Sequence, residues 1–176
     1  IMEGIILVNN VPVDKAGTKV PSDAEIRIKG HIMPYVGRGG YKLEKALKFF
    51  KIDLNGKVVA DIGASTGGFT DCALQNGAVK VYAIDVGTNQ LDWKLRTDQR
   101  VINMEKTNIK LVTLETLGEP VDFVCTDISF ISVTKIIPAV KSILKPDGSI
   151  AALIKPQFEA GREKVGKGGI VRDPEV

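Results

Sequence analysis

The sequence predicts an α/β protein with a Rossmann-like, mostly parallel sheet that carries helices on both faces. Three observations lead to this fold class. From residue 57 onward, apolar segments of strand length alternate with segments whose apolar residues recur at helical spacing. The strand-length segments are continuously apolar, which is typical of parallel strands covered on both faces. The first of them runs directly into a glycine-rich turn, GASTGG, that opens the next helix.

The first 30 residues predict a small β module ahead of that sheet. Turn signals at Asn9-Asn10 and Pro21-Ser22-Asp23 separate short stretches in which apolar and polar residues alternate. The apolar positions are Ile6, Val8, Val13, Val20, Ile26 and Ile28. Residues 31–40 are rich in proline and glycine and predict a linker, so we expect the main domain to span residues 41–176.

Within the main domain the pattern indicates five strands and three long helices. The helix YKLEKALKFF comes first and places Leu43, Leu47 and Phe50 on one side. The strands are KVVADIG, VKVYAID, RVINM, VDFVCTD and SIAALIK. The other helices are GGFTDCALQNG and SVTKIIPAVKSILKPDG, the second of which ends in a Pro-Asp-Gly turn. Residues 156–174 show no apolar period and predict a loop over the carboxyl edge of the sheet.

Composition and charge predict a globular protein of the cytoplasm. The net charge of +3 comes from residues 1–56, which hold nine Lys and Arg against six Asp and Glu. This mild basic bias is compatible with nucleic-acid contact. No apolar run approaches the roughly 18 residues that a membrane span requires, and we see no signal-peptide or metal-ligand pattern. Cys72 and Cys125 lie in apolar segments, which predicts buried thiols in a reducing compartment.

The glycine-rich turn in DIGASTGGFTD matches two common motifs poorly. A dinucleotide-binding turn requires G-x-G-x-x-G, whereas the glycines here are Gly63, Gly67 and Gly68. GASTG also satisfies G-x-S-x-G, the nucleophile elbow of α/β-hydrolases. That mechanism needs a histidine after the serine, and the single histidine, His31, precedes it.

A third interpretation, an S-adenosylmethionine turn of the acid-x-G-x-x-x-G type, fits better. Asp61 lies at the end of the first strand, and Gly63 and Gly67 let a ligand approach the backbone. Asp85 ends the second strand, 24 residues after Asp61. A carboxylate about 20 residues beyond such a turn accepts hydrogen bonds from ribose hydroxyls. The alternative is a sheet with glycine turns and exposed acids and no cofactor.

Charged residues end two further strands. Asp127 ends the fourth strand and Lys155 the fifth, and the helix YKLEKALKFF brings Lys42. Adjacent strand ends of a doubly wound sheet face one crevice, so we expect these three side chains beside the cofactor. Methylation of a hydroxyl requires removal of its proton, and a lysine is able to act as the base or to orient the nucleophile. The structural alternative is a surface ion pair between Lys155 and Asp127.

At these residues the resemblance to a known family becomes specific. RGGYKL, DIGASTGGFTD, YAIDVGTNQLDWKLR, TDISFIS and KPQFEAGREKVGKGGIVRDP resemble the TlyA family over essentially the whole chain. These are bacterial 2′-O-ribose methyltransferases of ribosomal RNA, also named haemolysin A-like, with an FtsJ-like catalytic domain. The resemblance implies an N-terminal S4 RNA-binding domain, of which residues 1–30 would be the β half, and ribosomal RNA or a ribosomal subunit as partner.

The resemblance also implies the site residues. FtsJ-like enzymes use a Lys-Asp-Lys-Glu tetrad, which falls on Lys42, Asp127 and Lys155, with the glutamate expected beyond Val176. Lys155 would activate the ribose 2′-OH, Lys42 would assist it or position the RNA, and Asp127 would orient it. The S-adenosylmethionine pocket carries over to Asp61, Gly63, Ser65, Gly67, Gly68, Asp85 and Asn108.

Three other functions stay open from sequence alone. DISF faintly resembles the Asp/Asn-Pro-Pro-aromatic signature of base amino-methyltransferases, but it lacks both prolines. The family's older name suggests a membrane-active haemolysin, although no amphipathic membrane segment is visible. A chain without the tetrad's glutamate would also be compatible with cofactor binding alone. The sequence gives neither the oligomeric state nor the modified nucleotide.

Overall fold

The computed structural model describes residues 6–15, 17–29 and 33–175. The chain divides into two compact units, Ile1–Pro34 and Tyr35–Val176. Residues 31 and 32 of the predicted linker lie outside the described residues. Tyr35, in the middle of that predicted linker, is buried in the core of the second unit.

The first unit contains a three-stranded antiparallel sheet. Its strands are β1 (Ile6–Val8), β2 (Val11–Val13) and β3 (Ile26–Ile28), in the order β2-β1-β3. Asn9 and Asn10 join β1 to β2 with φ angles of 48° and 67°, the backbone that a tight hairpin turn needs. These strands contain all the apolar positions expected in the β module except Val20, which lies outside them.

The second unit is built on a five-stranded parallel sheet. Its strands are β4 (Val58–Ile62), β5 (Lys80–Ile84), β6 (Val101–Met104), β7 (Val121–Thr126) and β8 (Leu144–Ala152). They lie in the order β6-β5-β4-β7-β8, and every neighbouring pair is parallel. The chain builds outward from β4 to one edge and then returns to β7 on the other side. A crevice therefore opens between β4 and β7 at their carboxyl ends.

Helices cover both faces of this sheet. The α-helices are α1 (Gly39–Phe50), α2 (Gly68–Gln75), α3 (Trp93–Arg96), α4 (Leu114–Leu117), α5 (Ile137–Ile143) and α6 (Pro156–Glu159). Short 3-10 helices span Ile109–Leu111, Val133–Lys135 and Arg162–Lys164. The helix α1 begins two residues earlier than predicted, so Gly39 and Gly40 of the expected linker belong to it.

Two apolar clusters fill the space between the sheet and the helices. Alternate strand residues point to opposite faces, so Val59 and Phe123 belong to one cluster and Ala60 and Val124 to the other. The first cluster packs against α1 and α2, the second against α5. Both cysteines, Cys72 and Cys125, are buried free thiols in the first cluster, as predicted.

The predicted helix SVTKIIPAVKSILKPDG is wrong at its carboxyl end. The helix α5 stops at Ile143, and the Lys-Pro-Asp-Gly residues lie within β8. Leu144 pairs with Val121 and Ser149 with Phe123, so the four intervening residues are absorbed by an irregularity in the strand. A turn signal thus becomes a bulge because the strand resumes pairing on the same neighbour.

The end of the fifth strand also differs from the prediction. β8 stops at Ala152, and Lys155 is the residue before α6 rather than the last residue of the strand. Pro156 occupies the first position of α6, where its missing N–H costs nothing. The expected loop therefore contains α6, the Arg162–Lys164 turn and a bridge between Gly166 and Ile170. Among the described residues, no helix is both long and apolar enough to cross a bilayer.

Candidate active site

Two adjoining cavities open at the carboxyl ends of β4, β5 and β7. The first, of about 380 Å³, has an apolar wall that includes Ile62, Ile84 and Ile136. The second, of about 300 Å³, is lined by charged residues and by the start of α1 and α2. The cavities share four lining residues, Gly63, Ser65, Asp127 and Ser129. A ligand in one cavity therefore meets the same wall as a ligand in the other.

Two glycines in the turn after β4 have a left-handed backbone conformation. Gly63 has φ +80° and Gly67 has φ +96°, both in the left-handed region. A Cβ added to Gly67 would clash with Leu95 Cδ1, so the position also lacks room for a side chain. Ser65 adopts φ +50° in the same turn, an uncommon conformation for a serine.

The carboxylate of Asp85 closes this turn against the end of β5. Its Oδ2 accepts a hydrogen bond from the Ser65 N–H at 2.8 Å, and its Oδ1 accepts one from the Gly87 N–H at 2.7 Å. A carboxylate oxygen has a second acceptor site, so each remains able to accept a ligand hydroxyl. Asp85 lines the first cavity, as expected for the ribose position.

Asp61 is held beneath the turn as a buried acid. It is 1% exposed, and the Thr70 hydroxyl donates to its Oδ2 at 2.7 Å. Burial raises the pKa of Asp61 from 3.8 to about 7, although the bond from Thr70 opposes the rise. The negative charges of Asp85 and Asp127 raise this pKa further. Asp61 lines the second cavity and not the first.

Asn108 lines the first cavity, as do its neighbours Thr107 and Ile109. Its Oδ1 accepts from the Lys110 N–H at 3.1 Å and so caps the short 3-10 helix. Gln90, which was not predicted, lines the same cavity. The Glu105 carboxylate fixes the backbone there by accepting from the Gln90 N–H at 3.0 Å. The Asn89 N–H, followed by the Gln90 N–H and the Arg96 side chain, lowers the pKa of Glu105 to about 2.

Three charged side chains meet in the second cavity, and we call Lys42, Asp127 and Lys155 the Lys-Asp-Lys cluster. Asp127 Oδ2 accepts from Lys42 Nζ at 2.7 Å, and Asp127 Oδ1 lies 2.6 Å from Lys155 Nζ. One carboxylate thus bridges two ammonium groups that are 85 and 28 residues away in sequence. The Lys42 side chain is 49% exposed, whereas those of Lys155 and Asp127 are each 19% exposed.

Lys155 has two further contacts in the loop that follows β7. Its Nζ donates to the Asp127 carbonyl at 3.1 Å and to Ser129 Oγ at 2.8 Å. With the Asp127 carboxylate, these oxygens surround one side of the amine. Ser129 lines both cavities, so it lies where the two halves of the site adjoin.

The structure brings together most of the predicted site residues. Gly63, Ser65, Asp85 and Asn108 line the first cavity. The Lys-Asp-Lys cluster lines the second, with Asp61 and Gly68. Gly67 lines neither cavity, because it lies at the start of α2 against Leu95.

Several residues of the site were not predicted from the sequence. Ser129 and Phe130 lie two and three residues after Asp127, and their position just beyond a strand-end acid was a signal that could have been used. Phe130 is 91% exposed, has φ +69° and lines the first cavity. Thr70 lies nine residues after Asp61, and Gln90 five after Asp85, so only the fold shows their relevance.

Several known proteins are similar to this chain over nearly its whole length. The chain is 54% identical to YqxC of Bacillus subtilis (strain 168), over all of this chain and 63% of YqxC. It is 47% identical to hemolysin A of Brachyspira hyodysenteriae, over 98% of this chain and 72% of that protein. It is 41% identical to the 16S/23S rRNA (cytidine-2′-O)-methyltransferase TlyA of Mycobacterium tuberculosis, over 98% of this chain and 65% of TlyA.

Solved structures show the same similarity. A protein from Streptococcus thermophilus that is named as a hemolysin superposes with a TM-score of 0.79 at 49% identity, over 98% of this chain and 63% of that one. An S-adenosylmethionine-dependent methyltransferase from Listeria monocytogenes superposes with a TM-score of 0.55 at 26% identity, over 76% and 63%. The chain thus spans about two thirds of the length of several relatives.

The family assignment follows from residues 35–176, which match the FtsJ-like methyltransferase family. This range contains both cavities and the whole five-stranded sheet. The chain therefore belongs to the FtsJ-like methyltransferases, together with relatives that carry the names TlyA and hemolysin A.

Proposed function

We propose that the protein methylates the ribose 2′-OH of ribosomal RNA, with S-adenosylmethionine as donor and the Lys-Asp-Lys cluster as catalytic set. The observation that carries the proposal is the bridging of Lys42 and Lys155 by Asp127 in a cavity that shares its wall with the glycine turn. A purely structural ion pair between Lys155 and Asp127 would not require a ligand-sized cavity beside it. The relatives named as rRNA methyltransferases support the same reaction class.

The residues of the first cavity fit S-adenosylmethionine. In the proposal, Asp85 holds the ribose hydroxyls and Asn108 reads the adenine edge, between the apolar walls of the cavity. The backbone of Gly63 and Ser65 accommodates the part of the cofactor nearest the second cavity, with Asp61 and Gly68 behind it. When bound, the cofactor supplies an electrophilic methyl group.

The three cluster residues have different roles in the proposed reaction with RNA. A ribose hydroxyl ionises far above neutral pH, so a base in contact must take its proton as the new bond to carbon forms. We assign this role to Lys155, the less exposed of the two lysines, which first releases one proton to solvent and then accepts the ribose proton as a neutral amine. Asp127 orients both lysine side chains, and the more exposed Lys42 contacts the incoming nucleotide.

The rest of the assignment follows from the substrate. A protein that modifies ribosomal RNA or a ribosomal subunit works in the cytoplasm, which is where we place it. In the proposal the first unit, with its three-stranded sheet, acts as the β half of an S4 RNA-binding domain. The positive balance of residues 1–56 agrees with RNA contact.

The decisive experiment compares Lys155→Ala with Lys141→Ala, a control lysine exposed on α5. Methyl transfer to ribosomal RNA is measured with labelled cofactor, and the product is digested and analysed by mass spectrometry. We expect a loss of about 1,000-fold or more for Lys155→Ala, in the range of a removed general base, and an unchanged rate for the control. Full activity of Lys155→Ala would refute the catalytic role, and methyl groups on a base would refute the ribose as target.

A further inference from the structure

Two segments meet beside the Lys-Asp-Lys cluster, and their contacts extend well beyond it. One is the loop 127–133 after β7, and the other is the segment 155–159, which contains α6. Lys155 binds the loop through the Asp127 carbonyl and Ser129 Oγ. Farther along, the Phe130 and Phe158 rings lie 5.3 Å apart between centroids. The two segments therefore run side by side over their whole length.

The Glu159 carboxylate makes the last of these contacts. Its Oε2 accepts from Ser132 Oγ at 2.6 Å, and its Oε1 accepts from the Val133 N–H at 2.8 Å. Hydrogen bonds to an ionised carboxylate are short and strong compared with neutral ones. The Ser132 hydroxyl and the Val133 N–H lower the pKa of Glu159, so the carboxylate stays charged at neutral pH.

Lys155 and Glu159 are connected through a single turn of helix. The helix α6 has four residues, and Lys155 precedes its first residue. The Phe158 N–H donates to the Lys155 carbonyl at 2.9 Å, which ties one end of the turn to the other. An isolated helix of this length is not stable in water, so its position depends on contacts at its ends.

We propose that Glu159 is a positioning residue for Lys155. By fastening the end of α6 to the loop 127–133, the carboxylate keeps the amine of Lys155 between Asp127 and Ser129. The expected effect on kcat rests on the proposed function, whereas the expected effect on the position of the Lys155 amine does not. Loss of the carboxylate should lower kcat while leaving cofactor binding intact, because Glu159 lines neither of the two cavities.

The chain offers graded variants and a matched control. Glu159→Ala removes both bonds, whereas Glu159→Gln keeps an acceptor for the Val133 N–H and an amide for Ser132 Oγ. Ser132→Ala removes only one bond and replaces Glu159→Ala as the test if that variant does not fold by circular dichroism. The control is Glu163→Ala, whose carboxylate lies beside Gly161 in the next turn.

The first measurement is chemical and does not require methyl transfer. Acetylation of lysines by an amine-reactive ester is followed at Lys155 by mass spectrometry, with Lys110 and Lys141 as internal references. We expect Lys155 to be labelled at least about threefold faster in Glu159→Ala, since a loosened amine is no longer held by three oxygens. Glu159→Gln and Glu163→Ala should label at nearly the wild-type rate.

The second measurement is kinetic. We expect kcat on ribosomal RNA to fall about tenfold or more in Glu159→Ala, to recover largely in Glu159→Gln, and to be unchanged in Glu163→Ala. The Kd for S-adenosylmethionine, measured by calorimetry, should be the same in all four proteins. Wild-type labelling and wild-type kcat in a folded Glu159→Ala protein would overturn the inference. A wild-type protein that transfers no methyl group would instead refute the proposed function. The labelling rate of Lys155 would then be the test of whether Glu159 positions it.

Discussion

The two cavities of the site are built in different ways. The first is formed by backbone: left-handed residues in the turn after β4, and two main-chain N–H groups that hold Asp85. The second is formed by long charged side chains that arrive from α1, from the end of β7 and from the start of α6. Backbone geometry is fixed by local packing, whereas the cluster depends on its ion pairs. We therefore expect substitutions to disrupt the two cavities for different physical reasons.

The largest expected effect is on the second cavity. Asp127→Ala should lower kcat for RNA methylation by about 100- to 1,000-fold, since two ammonium groups lose their common partner and repel each other. The Kd for S-adenosylmethionine should change less than kcat, because the Asp127 carboxylate is paired with the two lysines even though the residue also lines the first cavity. Calorimetry and single-turnover rates measure the two quantities separately, and an equal loss of both would show that Asp127 is needed for cofactor binding as much as for catalysis.

A steric change tests the glycine turn that supports the first cavity. Gly67→Ala should lower the free energy of unfolding by about 2–4 kcal/mol, because it adds a clash with Leu95 to the strain of a left-handed alanine. Gly118 is the matched control, with φ +81° and no atom within 4 Å of an added Cβ. Gly118→Ala should lose only about 1–2 kcal/mol. Equal losses in denaturant titrations would mean that the packing at Gly67 has no energetic role.

The buried acid gives a pH-dependent prediction. The pKa of Asp61 in the folded protein is about 7 against 3.8 in the unfolded chain. The folded state therefore binds the proton more tightly, and the stabilisation present below pH 4 is lost as pH rises to about 7. Asp61→Asn should abolish this loss and be more stable than wild type at pH 8, by about 2–4 kcal/mol.

The check is chemical denaturation at several pH values without cofactor. Asp98→Asn is a useful comparison, because a hydrogen bond from Arg100 lowers the pKa of Asp98. Its contribution to stability is present at neutral pH and is lost as pH falls, which is the opposite direction. If Asp61→Asn and wild type had parallel stability profiles between pH 4 and 8, Asp61 would not be a buried acid with a raised pKa.

The smallest effect concerns the exposed end of the cluster. Lys42→Ala should lower kcat/KM for RNA by about tenfold, mostly through KM, since its half-exposed ammonium pairs weakly in water. Lys45→Ala, one turn farther along α1 and also exposed, should change kcat/KM by less than about twofold. A loss in kcat as large as that of Lys155→Ala would move Lys42 from substrate contact to proton transfer.

Much of the fold could be predicted because strand-ending residues are local signals. Asp85 and Asp127 follow apolar runs directly, and parallel strands bring such ends to one edge. The end of α5 could not be predicted, because the residues after Ile143 look like a turn and only pairing with Val121 makes them strand. Pro156 was similarly ambiguous, since proline both ends strands and begins helices.

The sequence indicates which residues lie near the site, but it does not show which neighbours each of them faces. Gly67 was expected at the cofactor from its spacing, but the turn places it against Leu95 instead. Glu159 gave no signal, since a carboxylate on a short segment is ordinary in sequence. Its significance comes from two donors that lie 26 and 27 residues earlier.

The four residues that line both cavities have a thermodynamic consequence. Ligands that fill both spaces at once would touch each other across Gly63 and Ser129. Their binding free energies would then not be additive, and each ligand would change the affinity of the other by the same factor. A single molecule that joins a nucleoside to a group filling the second cavity would bind more tightly than its separate halves, because the loss of translational freedom on binding is incurred once.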